Sequence, residues 1–128
     1  MAEGLVRHFL KMGADQVCSA GLSPAFEGAQ PEAVSVLKEL YGVDISGHRT
    51  RDVEDMDLNR FSWIVVLDAY VFESLKERWP DSLSRMVLWD IDDPYGRPRD
   101  VYIQSARLIE YCVRKYLLRT PEKKDPGQ

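Results

Sequence analysis

The stretch Asp90-Ile91-Asp92-Asp93-Pro94-Tyr95-Gly96-Arg97-Pro98-Arg99-Asp100-Val101-Tyr102 gathers carboxylates, two aromatics, two prolines and a glycine into one short segment. A carboxyl held against a proline and an aromatic is a candidate proton donor, because restricted solvation raises its pKa toward working pH. The same residue types also make ordinary turns, and Asp-Pro commonly opens a loop. Taken alone, the segment leaves both readings open. Asp92 reads as a flanking turn carboxylate, and an Asp92–Asp93 pair would need further carboxylates or a phosphate to hold Mg²⁺. Elsewhere the chemistry is sparse. His48 heads a basic run, His48-Arg49-Thr50-Arg51, whereas His8 falls on a helix and reads as a surface residue. Cys18 and Cys112 form no metal-type pair and read as small buried apolar residues.

These residues have to be positioned by regular elements. Met1, Leu5, Phe9 and Met12 share one face at helical spacing, so residues 1–12 read as helix with Gly13 as the stop. The run Gln16-Val17-Cys18-Ser19-Ala20 reads as a strand closed by Gly21, and Leu22–Gln30 as a loop whose one large side chain is Phe26. Pro31 suits a first helical turn. Ala33, Val36, Leu37 and Leu40 mark the face of a helix ending near Gly42. Val43–Ser46 is short and extended, and Asp52–Arg60 is acidic and broken, with one helical turn. Trp63–Leu67 is continuously apolar and largely β-branched, as in a strand covered on both faces. Asp68 then caps a helix over about Tyr70–Trp79. Met86–Leu88 is the third strand. A last helix runs over about Val101–Leu118 with Ala106, Ile109, Val113 and Tyr116 on one stripe.

The order α-β-α-β-α-β-α predicts an α/β fold with a three-layer arrangement, a parallel sheet covered by helices on both faces. In such a sheet the site lies beyond the carboxyl ends of the strands. Ser19, Asp68 and the Asp92–Tyr95 loop gather at that edge. Residues 1–118 form one domain, and the polar segment 119–128 reads as a disordered tail. The chain has 128 residues, a net charge of −4 and no apolar run near the ~18 residues that span a membrane. Broad nucleic-acid or anionic-membrane binding is excluded on charge. A reducing, cytoplasmic setting suits two unpatterned cysteines. No cofactor or metal is called for.

Met1-Ala2-Glu3-Gly4-Leu5, Ser19-Ala20-Gly21, Gly42-Val43-Asp44-Ile45-Ser46-Gly47-His48-Arg49-Thr50-Arg51, and Asp93-Pro94-Tyr95-Gly96 with Val101-Tyr102 occur in that order. Over residues 1–118 this resembles the low-molecular-weight protein tyrosine phosphatase family. The resemblance implies a flavodoxin-like, phosphotyrosine phosphatase I type sheet and a cysteinyl-phosphate mechanism acting on a phosphorylated protein or a small phosphomonoester. In that family a thiolate in a C-x5-R-[ST] loop attacks phosphorus, while backbone N–H groups, the Arg and the dipole of the following helix hold the phosphoryl oxygens. The Asp of the Asp-Pro loop protonates the leaving group and then activates water. On this pattern Asp93 is the acid, Tyr95 and Phe26 flank the substrate, and Ser19 and His48 brace the nucleophile loop.

Two departures stand out. The family's C-x5-R-[ST] loop directly precedes Pro-Met-Ala-Glu, and the sequence begins at that Met. Six residues beyond Cys18 stands Pro24, and six beyond Cys112 stands Leu118. The resemblance therefore implies that the first, central strand and the phosphate loop are missing from these residues, that they are inactive as written, and that they fold marginally because two inner sheet edges lack a partner. Secondly, one aromatic followed by Gly96, rather than two aromatics, is similar to the branch that includes protein arginine phosphatases. A non-catalytic phosphatase-like binding protein is the other alternative. An arsenate reductase on the same fold ranks low, because its relay of later cysteines finds none in residues 68–95.

Overall fold

The computed structural model describes residues 1–13, 15–22 and 28–118. Phe26 and the segment 119–128 lie outside them, so those two expectations have no structural counterpart. The described chain is α/β. Four helices, α1 (Ala2–Leu10), α2 (Pro31–Tyr41), α3 (Ala69–Arg78) and α4 (Arg99–Cys112), surround a parallel pair, β1 (Ile64–Val66) and β2 (Met86–Leu88). The pairing sets Ile64 against Met86, Val65 against Val87 and Val66 against Leu88. A parallel pair needs a crossover, and α3 supplies it. Asp68 starts that helix as expected, accepting the N–H groups of Tyr70 at 2.7 Å and Val71 at 3.2 Å.

The core divides into two clusters. Leu5, Val36, Leu37, Ala106, Ile109 and Val113 join α1, α2 and α4 on one side. Val53, Leu58, Val66 and Leu75 join β1, α3 and the 3-10 turns Val53–Asp55 and Leu58–Arg60 on the other. Those two turns replace the single helical turn predicted for Asp52–Arg60. Asp52 and Asp57 each accept an N–H two residues on and so cap them. Outside the core, Arg99 ties α4 to α2 through Glu32 at 2.8 Å, Ser35 at 2.9 Å and Glu39 at 3.0 Å.

Several expectations are corrected. Gln16–Ala20 is not a strand: among the described residues nothing runs beside it in a ladder, and the Val17 carbonyl accepts instead from the Arg7 guanidinium at 3.0 and 3.2 Å. Only Gly21 bridges, accepting from Val53 N–H at 3.0 Å and donating to the Arg51 carbonyl at 2.9 Å. Helix α1 stops at Leu10 rather than near Gly13, because Lys11 turns left-handed at φ 57° and leaves Met12 exposed. Trp63 is 59% exposed rather than covered. A five-residue π-turn, Val113–Leu117, follows α4. Its extra residue per turn rotates Tyr116 off the buried stripe, to lie 6.3 Å from Trp89 between ring centres.

Among the described glycines, Gly4 has little room for a side chain. A Cβ there would stand 2.6 Å from Cγ2 of the buried Ile45. Gly4→Val is therefore expected to destabilise the chain by about 1–3 kcal/mol through overpacking. Urea unfolding would measure this, and the cost should shrink in an Ile45→Ala background, where the opposing methyl is gone.

Candidate active site

The site is assembled at the carboxyl ends of β1 and β2, where α1 also begins. Backbone bonds carry the acidic loop to that place. Trp89 N–H donates to the Val66 carbonyl at 2.9 Å, and Ile91 N–H to the Leu67 carbonyl at 2.7 Å. Asp90 makes the intervening bend at φ 54°, a left-handed conformation that Asp tolerates better than most residues. Ile91 is buried and anchors the loop in the core. Beyond it the chain folds back on itself. Asp93 Oδ1 accepts the Tyr95 N–H at 3.0 Å, and the Pro94 carbonyl accepts the Arg97 N–H at 2.9 Å. Gly96 sits at φ 79°, the third position of a turn that favours glycine there.

This geometry alters one expectation. Asp93 is exposed and Tyr95 is 54% exposed. The shielding that the residue types suggested for the carboxyl is absent, and what holds Asp93 is its own turn. Asp92 is exposed as well, consistent with a flanking carboxylate.

Across from the loop stands a second constellation, centred on Glu3 in the first turn of α1. Its side chain is 9% exposed. It pairs with Arg7 one turn on, accepts the Ser19 hydroxyl at 2.6 Å and lies 3.9 Å from Nδ1 of His48. Ser19 and His48, singled out from the sequence, thus come together on a carboxylate that sequence reasoning passed over. The signal was present: Glu3 and Arg7 stand four apart on a helix, the spacing of a stabilising pair. Ser19 donates to Glu3 and not to the imidazole, so the group is no nucleophile–base pair. A cavity of about 130 Å³ is lined by Met1, Glu3, Ser19, His48 and Leu67. Both Glu3 and Asp93 act electrostatically on the nitrogen of Met1. Among the described residues no three His, Cys, Asp or Glu side chains converge to hold a metal ion.

With this geometry the comparisons with known proteins are direct. The model of the family described as "Low molecular weight phosphotyrosine protein phosphatase" matches residues 1–125. The chain belongs to that family. A curated relative, "Probable low molecular weight protein-tyrosine-phosphatase EpsP" from Ralstonia solanacearum, is 31% identical, over 93% of this chain and 85% of its own length. The crystal structure of a low molecular weight protein tyrosine phosphatase from T. tengcongensis superposes with a TM-score of 0.80 at 28% identity, covering 93% of this chain and 88% of that one. A YwlE arginine phosphatase from Geobacillus stearothermophilus shares the fold, with a TM-score of 0.79 at 21% identity over 99% of this chain and 89% of that one.

Burial holds the His48 pKa below the ordinary imidazole range. Glu3 pulls it up, while the Met1 ammonium, Arg51 and Arg7 push it down. The unfolded chain therefore takes up this proton first, so protonation favours unfolding. The contribution is fully present above an unfolded pKa of about 6.5 and is lost as pH falls through the lower folded value. Chemical denaturation across that window should show stability declining with acidification, and a His48→Gln variant should decline less steeply.

Proposed function

We propose that Asp93 is the proton donor of a phosphomonoester hydrolase, and that these 128 residues alone turn over no phosphomonoester. The observation that carries the first part is the Asp93 turn itself. It is pinned to the end of β1 and lies within electrostatic reach of the start of α1. A helix start favours phosphate, through its free N–H groups and its dipole. The second part rests on the residues present, since neither cysteine is followed six positions later by arginine. Catalysis on this reading needs a thiolate loop placed ahead of Met1, facing Asp93. Ser19 and His48 would then brace that loop through Glu3, and Tyr95 would flank the phosphorylated side chain. The substrate is a phosphorylated protein or a small phosphomonoester. Phosphotyrosine is favoured by the name of the EpsP relative. The single aromatic before Gly96 favours phosphoarginine as the second reading. Two free cysteines suit a reducing cytoplasm, and among the described residues no helix is long and apolar enough to cross a membrane.

Hydrolysis of p-nitrophenyl phosphate tests both parts. The 128-residue chain is expected to give only background. Joined to a segment carrying Cys-x5-Arg-Ser-Pro before Met1, it is expected to turn over, and Asp93→Ala in that form should slow phosphoenzyme formation by ~10²–10⁴-fold. Turnover by the chain alone, or a near-normal rate in the Asp93 variant, contradicts the corresponding part.

A further inference from the structure

Arg85 closes the 3-10 helix Pro80–Arg85 and directly precedes β2, at the end of the sheet opposite Asp93. It is half-buried. Its Nη2 donates to three oxygens: the hydroxyl of the buried Ser82 at 2.9 Å, the Leu58 carbonyl at 3.2 Å and the Asn59 side-chain carbonyl at 3.4 Å. These bonds staple the Pro80–Arg85 helix to the Leu58–Arg60 turn, and every acceptor is neutral. Among the described residues no carboxylate pairs with Arg85. Its Nε is enclosed without a partner, while Nη1 makes no hydrogen bond among the described residues and is not enclosed. A guanidinium drawn part-way out of water normally has a carboxylate to offset its lost hydration. The staple occupies one nitrogen of three and leaves the charge unanswered.

The two stapled segments say what would answer it. Arg60, next to Asn59, is exposed and also has no carboxylate partner among the described residues. Leu83, two residues before Arg85, is 42% exposed. The acids on the same segments leave both cations alone. Asp57 Oδ1 accepts the Asn59 N–H at 3.1 Å, and Asp81 is exposed without an ion pair to either arginine. Two uncompensated guanidiniums and an apolar side chain thus sit on one stapled corner of a chain whose net charge is −4.

We propose that this corner is a docking site for an acidic segment of a partner protein. One carboxylate meets Nη1 of Arg85, a second meets Arg60, and an apolar side chain between them covers Leu83. A guanidinium already fixed in direction by three bonds loses little freedom when a carboxylate arrives. One free Nη1 suits a side-chain carboxylate better than a phosphate, whose several oxygens call for several donors. Partly buried arginines are also among the residues that concentrate binding energy at interfaces. Hydrolysis has no part in this inference, so it stands or fails independently of the proposed activity.

Titration of the full chain with the synthetic peptide acetyl-Glu-Leu-Glu-amide, followed through the Nε–Hε NMR signal of Arg85, tests it. The control is acetyl-Gln-Leu-Gln-amide, which has the same shape without the charge. The acidic peptide is expected to shift the Arg85 signal saturably, with an affinity that falls as salt is raised, and the control to leave it unmoved. Arg60→Gln, a change at an exposed site, is expected to weaken binding about threefold. The protein is identical in both peptide arms, so misfolding cannot imitate their difference. The proposal is overturned by an unmoved Arg85 signal at millimolar peptide, by an equal shift with the control, or by unchanged affinity in the Arg60 variant. Inorganic phosphate that shifts the signal equally at the same concentration would make this a site for any anion. A shift that grows with protein concentration alone would assign the corner to a second copy. Either result equally overturns the proposal.

Discussion

The carboxylate of Glu3 is the contact on which the arrangement of the site depends. A charged group this far withdrawn from water is tolerated only when paired and hydrogen-bonded. Glu3 meets that demand with Arg7 on its own helix and the Ser19 hydroxyl from the stretch after α1, and His48 from the segment after α2 lies 3.9 Å away. Arg7 extends the set, since the guanidinium that pairs with Glu3 also holds the Val17 carbonyl. One ion pair thereby fixes the direction of α1 and the position of both flanking segments. Exposed pairs such as Arg99 with Glu39 do much less, because water and salt compete for them.

The acid loop is held by a different kind of force. Among the described residues no ion pair holds Asp93. Main-chain bonds from Trp89 and Ile91 fasten the loop to β1, a buried isoleucine plugs it into the core, and a glycine-dependent turn closes it. The surroundings of Glu3 are thus set by side-chain electrostatics and the Asp93 turn by backbone geometry. Ionic strength and pH act on the first far more than on the second.

Much of this was legible in the sequence because it is local. Met86–Leu88 forms a strand as read, α2 starts at Pro31 and ends at Tyr41, beside the expected Gly42, and Asp68 caps α3 through its own side chain. Family resemblance carried Asp93, Ser19 and His48 to one end of the sheet. What stayed hidden depends on partners. Gln16–Ala20 has strand composition but no neighbour to ladder with among the described residues, and composition cannot supply one. Tyr116 keeps helical spacing from Val113, yet a π-turn rotates it outward, and no pattern of apolar residues announces an extra residue in a turn. Glu3 drew no reading from the sequence, because its burial is set by segments far along the chain.

The Asp93 turn also distinguishes the two carboxylate oxygens. Oδ1 accepts the Tyr95 N–H and is committed as an acceptor. On the proposed role, Oδ2 is the oxygen left to exchange a proton, which gives a single vector for delivery to a leaving group and for later abstraction from water. That vector is written in the main chain from Asp93 to Arg97 and is independent of the aromatic ring in between. On the same proposal, Tyr95 could change to suit another phosphorylated side chain while the main-chain turn stays the same.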